Sequence, residues 1–222
     1  YYFDSEGALS SKVGIDVSYA QGTVDWKKVK AAGIDFAMIR VGFRGYGTAK
    51  MVMDVQFDRN IQGTTAAGID CGVYFFTQAI NEAEAREEAQ FTLNAIKKYK
   101  VTYPIVIDTE RVNASDARAN NLSVSVRTNV INAFCDEVRK NGYYPMVYAD
   151  KGWLTYNLDS SRLTADIWLA QYNDTVTYTG EYKIWQYTSL GRIDGITQNT
   201  VDMNVGLVDY AAYLRENGWN NL

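Results

Sequence analysis

The sequence predicts an α/β fold: an irregular single-domain β/α barrel with eight strands and fewer helices, its reactive residues at the C-terminal ends of the strands. Three observations carry that expectation. A short phrase recurs as "KAAGIDFAMIRV" at 30–41 and "TAAGIDCGVYFF" at 65–76, with a looser copy, "RKNGYYPMVY", at 139–148. Each copy reads as a helix end, a glycine in the left-handed capping position and a β-rich run. Eight such β-rich runs can be counted along the chain, and strands alternating with helices build a parallel sheet that closes when it reaches that number. The last runs, however, lie too close together for a standard crossover helix, so helices should be missing near the end of the barrel.

In chain order, the first strand is expected at 13–17, within "VGIDV". The second, 35–43, leads into "GFRGYGTAK" (42–50), whose glycine order is GxxGxG with no following GK[ST]. That order fails the nucleotide-binding pattern, so the segment reads as a flexible loop. A strand at 70–77 precedes a helix at 81–98, which opens on Asn81 as N-cap, carries acids in its first turn and closes on lysines. After the apolar run 104–108 comes a helix at 123–140, with Val126, Val130, Phe134 and Val138 on one stripe. The remaining strands are expected at 145–149, 166–172, 182–188 and 199–205. No Pro/Gly-rich linker interrupts the pattern. Residues 1–12 read as an N-terminal extension or linker end, and 13–222 as one barrel domain.

Composition narrows the chemistry. With 47% apolar and 22% charged residues, the chain can bury a full core. It has no apolar run long enough to span a membrane, so no membrane insertion is expected. A net charge of −4 argues against a protein that holds nucleic acid by neutralising phosphates. Histidine is absent altogether. That removes Ser-His-Asp and Cys-His catalysis and nearly all catalytic zinc sites. Acid–base work must fall on Asp, Glu, Tyr, Lys or Cys. The two cysteines, Cys71 and Cys135, fit no metal-ligand spacing and read as small buried core residues. No metal and no cofactor is expected.

In "PIVIDTE" (104–110) a strand that reads as buried on both faces stops at two carboxylates, Asp108 and Glu110. In extended geometry the two face the same way, with roughly 6.5–7 Å between their Cα atoms. Close carboxylates cannot easily both ionise. One is pushed toward the protonated form while the other keeps its charge, which is the division of labour that glycoside hydrolysis needs. Other strand ends add Asp16, Tyr148, Gln171, Gln186 and Asp202. Seventeen Tyr and five Trp are a heavy aromatic load, and Tyr74, Phe76, Tyr148, Trp168, Tyr172, Trp185 and Tyr187 fall near strand ends. Aromatics placed there can stack on sugar rings as well as fill a core.

With those residues in view, a family resemblance emerges. "GIDVSYAQGTVDW" at 14–26, "IDTE" at 107–110, "WLAQY" at 168–172, "IWQYTS" at 184–189 and "VDMNV" at 201–205 resemble glycoside hydrolase family 25. These are the bacterial, phage and fungal N-acetylmuramidases, or lysozymes. The likeness runs in order from about residue 13 to 210. It implies an irregular β/α barrel that cleaves the β-1,4 bond between N-acetylmuramic acid and N-acetylglucosamine in peptidoglycan. Glu110 then matches the general acid/base and Asp108 the stabiliser of positive charge at the sugar. Asp16 and Asp202 match the two remaining acids, and Tyr74, Phe76, Tyr148, Gln171, Trp185 and Gln186 become candidate substrate-binding residues. Because both acids of "DTE" lie on one short segment, substrate assistance through an oxazolinium-like intermediate is favoured over direct attack by Asp108. No heptad or apolar patch argues for an oligomer, so a monomer is expected, and the resemblance implies action outside the cell or at the wall. Many relatives carry a His where this chain has Phe75, which supplies no ring nitrogen. Two other readings compete: a wall-binding module without turnover, and an enzyme using the two acids to hold Mg²⁺ or Mn²⁺.

Overall fold

A computed structural model describes residues 10–222. Most of the expected 1–12 extension, residues 1–9, lies outside the described residues, and Lys12 already belongs to the first strand. The strands are β1 (Lys12–Val17), β2 (Phe36–Arg44), β3 (Met51–Met53), β4 (Asp70–Phe76), β5 (Ile105–Asp108), β6 (Pro145–Asp150), β7 (Asp166–Ala170), β8 (Ile184–Gly191) and β9 (Val201–Gly206). The α-helices are α1 (Trp26–Ala31), α2 (Phe57–Ala67), α3 (Glu82–Ile96), α4 (Val124–Lys140), α5 (Lys151–Tyr156) and α6 (Tyr210–Glu216).

The sheet runs β1-β9-β8-β7-β6-β5-β4-β2 and closes through a β1–β2 pairing, with β3 added outside β2. From β1 through β2, β4, β5, β6, β7 and β8 the neighbours are parallel. The last strand breaks the expected parallel order, since β9 is antiparallel to both β8 and β1. Its cause is the short, helix-free connection from β8 to β9, which suffices for an antiparallel return but not for a parallel crossover. The repeated phrase behaves as read. Gly33, Gly68 and Gly142 all have positive φ (87°, 68° and 80°), so each helix turns tightly into the next strand.

Residues 42–50 are not a free loop. Gly42, Phe43 and Arg44 pair with Met53, Val52 and Met51 as a hairpin. A Cβ on Gly42 would meet the Val52 carbonyl oxygen at 2.3 Å. The buried Arg44 holds this hairpin to α3, with Nε on Glu88 at 2.7 Å and Nη2 on Glu87 at 3.2 Å.

Strand alternation divides the core in two. Phe36, Met38, Val106, Met146, Trp168 and Ile184 fill the barrel interior, and Tyr103, Tyr210 and Leu214 pack with them. Ile15, Ile39, Val73, Phe75, Ile107 and Val147 point outward against Ile61, Leu93, Ile131, Phe134 and Val138 of the helices. Cys71 and Cys135 are free thiols within this outer layer, as the sequence suggested. Of the α4 stripe, Val130, Phe134 and Val138 are buried, but Val126 is exposed. Steps of four residues drift about 40° around a helix, which rotates the first member out of the interface. Arg127 is buried instead; its guanidinium donates to the carbonyls of Ala119, Asn120 and Leu122 and lies 4.3 Å from the Trp153 ring centroid.

Candidate active site

Because even-numbered residues of β1 and β9 face inward, Asp16 and Asp202 arrive opposite each other across the antiparallel pair. Like charges so placed repel, and nothing in the packing requires acids there. On the far side, β5 carries Asp108 to the barrel mouth, beside Phe76 of β4 and Tyr148 of β6. Glu110 follows two residues later. A cleft of about 350 Å³ joins these four acids, lined in addition by Arg40, Tyr74, Phe76, Tyr148, Trp168, Tyr172 and Gln186.

Two amides organise one wall. Gln186 Nε2 donates to Asp16 Oδ2 at 2.8 Å, and its Oε1 accepts from the hydroxyls of Tyr148 (2.9 Å) and Tyr172 (2.8 Å). Asn204 Nδ2 donates to the same Asp16 oxygen at 2.9 Å, while its Oδ1 accepts from Trp168 Nε1 at 2.7 Å. The tyrosine and tryptophan donors thereby fix which way each amide points. Opposite them, Arg40 is clamped through Nε to Asp54 Oδ2 at 2.8 Å and sits 4.9 Å from the Tyr19 ring centroid. Among the described residues its Nη2 has no protein partner, and neither has Asp108 Oδ1.

All four acids are pushed toward their protonated forms. Burial is the main cause for Asp16, reinforced by the negative charge of Asp202, and carries its carboxyl up to about 8. Burial also drives Asp108 well above the carboxylate range, with the charge of Glu110 adding to it and Arg40 opposing it. Glu110 is raised by burial, against a hydrogen bond from Asp108 that favours its charged form. Asp202 rises for the same reason, burial. Asp108 and Glu110 thus titrate as one pair. The sequence reading gave Glu110 the proton and Asp108 the charge. Asp108 is only 5% exposed while Glu110 is half-buried, so burial weighs more heavily on the Asp108 carboxylate than on Glu110.

Of the residues picked out from sequence, Asp16, Asp108, Glu110, Asp202, Tyr74, Phe76, Tyr148 and Gln186 meet in the cleft. Gln171 and Trp185 do not line it. The Gln171 side chain instead folds the segment after β7, bonding the Thr175 carbonyl and the Thr177 hydroxyl and accepting from the backbone N–H groups of Thr177 and Tyr178. Trp185 precedes the inward Gln186 and so faces the outside of the barrel, where its Nε1 donates to the Gln171 carbonyl at 2.8 Å. Phe75 is likewise outward, its ring 5.7 Å from that of Phe91. A histidine at this position would face the helix layer, so its absence leaves the cleft lining unchanged. Sequence reading missed Arg40. The available signal was a lone cation inside the apolar run "FAMIRVG".

A closed β/α barrel with a carboxylate-lined, aromatic-walled cleft at its C-terminal strand ends has the architecture of a barrel glycoside hydrolase. The family model for glycosyl hydrolases family 25 matches residues 15–196, and the chain belongs to that family. It is 28% identical over 201 residues to lysozyme M1 of Streptomyces globisporus, an alignment covering 86% of this chain and 66% of that protein. The modular autolysin LytC of Streptococcus pneumoniae superposes with a TM-score of 0.78 at 30% identity, over 92% of this chain and 49% of LytC. A bacterial lysozyme from Streptomyces coelicolor gives 0.75 at 25% identity, covering 95% and 97% of the two chains. The present chain therefore spans about half the length of LytC, 66% of lysozyme M1 and nearly all of the coelicolor enzyme.

Proposed function

We propose that this chain is a peptidoglycan hydrolase cleaving the β-1,4 bond between N-acetylmuramic acid and N-acetylglucosamine. The observation that carries the reading is the placement of Asp108 and Glu110 at the mouth of a cleft where Asp16 and Asp202 add two further acids. Its relatives include proteins described as lysozymes, and LytC has also been solved with a synthetic peptidoglycan ligand.

The glycan lies between Tyr74, Phe76, Tyr148 and Tyr172, whose rings offer stacking faces. Glu110 gives its proton to the glycosidic oxygen as the bond from that oxygen to the sugar C1 breaks. The carbonyl oxygen of the substrate's own N-acetyl group closes onto C1, forming an oxazolinium-like ring, and Asp108 as carboxylate supports its positive charge. Water then adds to C1, its proton returning to Glu110, and the ring reopens. A proton held by the Asp108–Glu110 pair suits this sequence. Positive charge growing beside Asp108 draws the proton across the hydrogen-bonded pair onto Glu110, where it is needed. Gln186 and Asn204 hold Asp16 in place, and Asp202 adds negative potential on the same wall. The chain acts as a monomer outside the cell or at the wall, with residues 13–222 as the catalytic domain.

Mass spectrometry of the fragments released from purified peptidoglycan tests this. Muramic acid at the new reducing ends is the expected product. Glucosamine at those ends, or no new reducing ends, would refute it.

A further inference from the structure

A second groove opens beside the acid cleft, on the outer wall of the barrel. Gln186 faces inward, so Trp185 and Tyr187 face out. Among the described residues, neither β7 nor β8 is followed by an α-helix before the next strand. Among the described residues, no helix covers the wall there. Trp185 and Tyr187 line a groove of about 630 Å³ with Val13, Val205, Tyr172, Asn173, Asp174, Thr188 and Leu190. Leu190 is 75% exposed and Tyr172 52%, so apolar and aromatic surface faces water. The floor is held in position: the Trp185 indole is tied to the Gln171 carbonyl, and its ring lies 5.8 Å from that of Tyr187. Tyr172 lines both this groove and the acid cleft, which makes the two continuous at the rim.

We propose that this groove binds the glycan strand beyond the sugars held in the acid cleft, its ligand being β-1,4-linked N-acetylated amino sugars. The proposal rests on the peptidoglycan reading and extends it. A cleft of about 350 Å³ holds only a few sugar rings of a polymer, so the strand must continue across the rim, and past Tyr172 it meets the groove. Its chemistry fits a neutral sugar. Trp185, Tyr187 and Leu190 offer flat or apolar faces to the ring C–H groups, while Asn173, Asp174 and Thr188 can meet hydroxyls and acetamides. Among the described residues no Lys or Arg lines it, which disfavours a polyanion.

The test measures binding without turnover, in a Glu110→Gln background, to soluble peptide-free glycan strands, as disaccharide and as octasaccharide. The parent should bind the octasaccharide more tightly. Adding Tyr187→Ala should weaken octasaccharide binding about five- to tenfold while the disaccharide affinity stays. Leu190→Arg, at an exposed position where folding is not at stake, should lower the same octasaccharide-to-disaccharide ratio. An unchanged ratio in both variants overturns the groove proposal alone. A parent that binds neither glycan sinks the peptidoglycan reading and the groove with it. A concentration-dependent dimer that Leu190→Arg dissolves would assign the face to a second copy, and would also overturn the proposal.

Discussion

Asp16 and Asp108 are 7% and 5% exposed, whereas Asp202 and Glu110 are only half-buried. Each neighbouring pair, Asp16 with Asp202 and Asp108 with Glu110, therefore joins a deep acid to a shallower one, and the deep acid carries the larger cost of ionising. Replacing Glu110 by Gln should remove nearly all turnover, by about 10²–10⁴-fold, with glycan binding retained. Asp108→Asn should impair turnover severely yet raise folding stability above the pH at which the Asp108–Glu110 pair ionises, since the mutant has no carboxylate to bury there. Thermal melts in alkaline buffer check the sign. Removing the charge at Asp16, by Asp16→Asn, should act at a distance. The Asp16 charge raises Asp108, so its loss lets the pair ionise at lower pH. The alkaline limb of the activity profile should then shift toward acid, which a pH–rate comparison of mutant and wild type reads directly.

At the scale of elements, the β-hairpin of β2 and β3 depends on one cation. Arg44 is buried against Glu88, itself raised to about 7 by burial despite bonds from Thr77 and Arg44. Arg44→Ala would leave Glu88 buried and unpaired, and should cost about 3–5 kcal/mol in denaturant melts. This hairpin also shows where sequence reading stops. Local signals placed every barrel strand to within a few residues, because alternation, caps and the repeated glycine are encoded within short windows. The order and direction of β9 are not local: they follow from the short connection after β8 and from pairing with β1, at the opposite end of the chain. Glycines at 42, 45 and 47 looked like loop punctuation, yet Gly42 is there for the close approach of the Val52 carbonyl. The candidate site was legible where strand parity is unbroken, as for Asp16, Asp108 and Gln186. It was not legible for Trp185, since a one-residue difference in position decides which side of the barrel a side chain faces.

For the molecule as a whole, the acid cleft opposes stability at neutral pH. Asp16 has a folded-state pKa above its unfolded value, near 8 against an ordinary carboxylate. Protonated Asp16 therefore contributes stability that is fully present below about pH 4 and is lost as pH rises toward 8. The raised Asp108 and Glu110 act in the same direction. Melting temperature should accordingly be higher in mild acid than at pH 8, with a shallower slope in Asp16→Asn. The central claim, that the Asp108–Glu110 pair at the barrel mouth hydrolyses the muramic acid to glucosamine bond, is tested most directly by one comparison. Peptidoglycan is digested with wild type and with Glu110→Gln, and the released fragments are read by mass spectrometry. Reducing-end muramic acid from the wild type, and almost none from the mutant, is the predicted result. Equal release by both, or glucosamine at the reducing ends, would contradict the account.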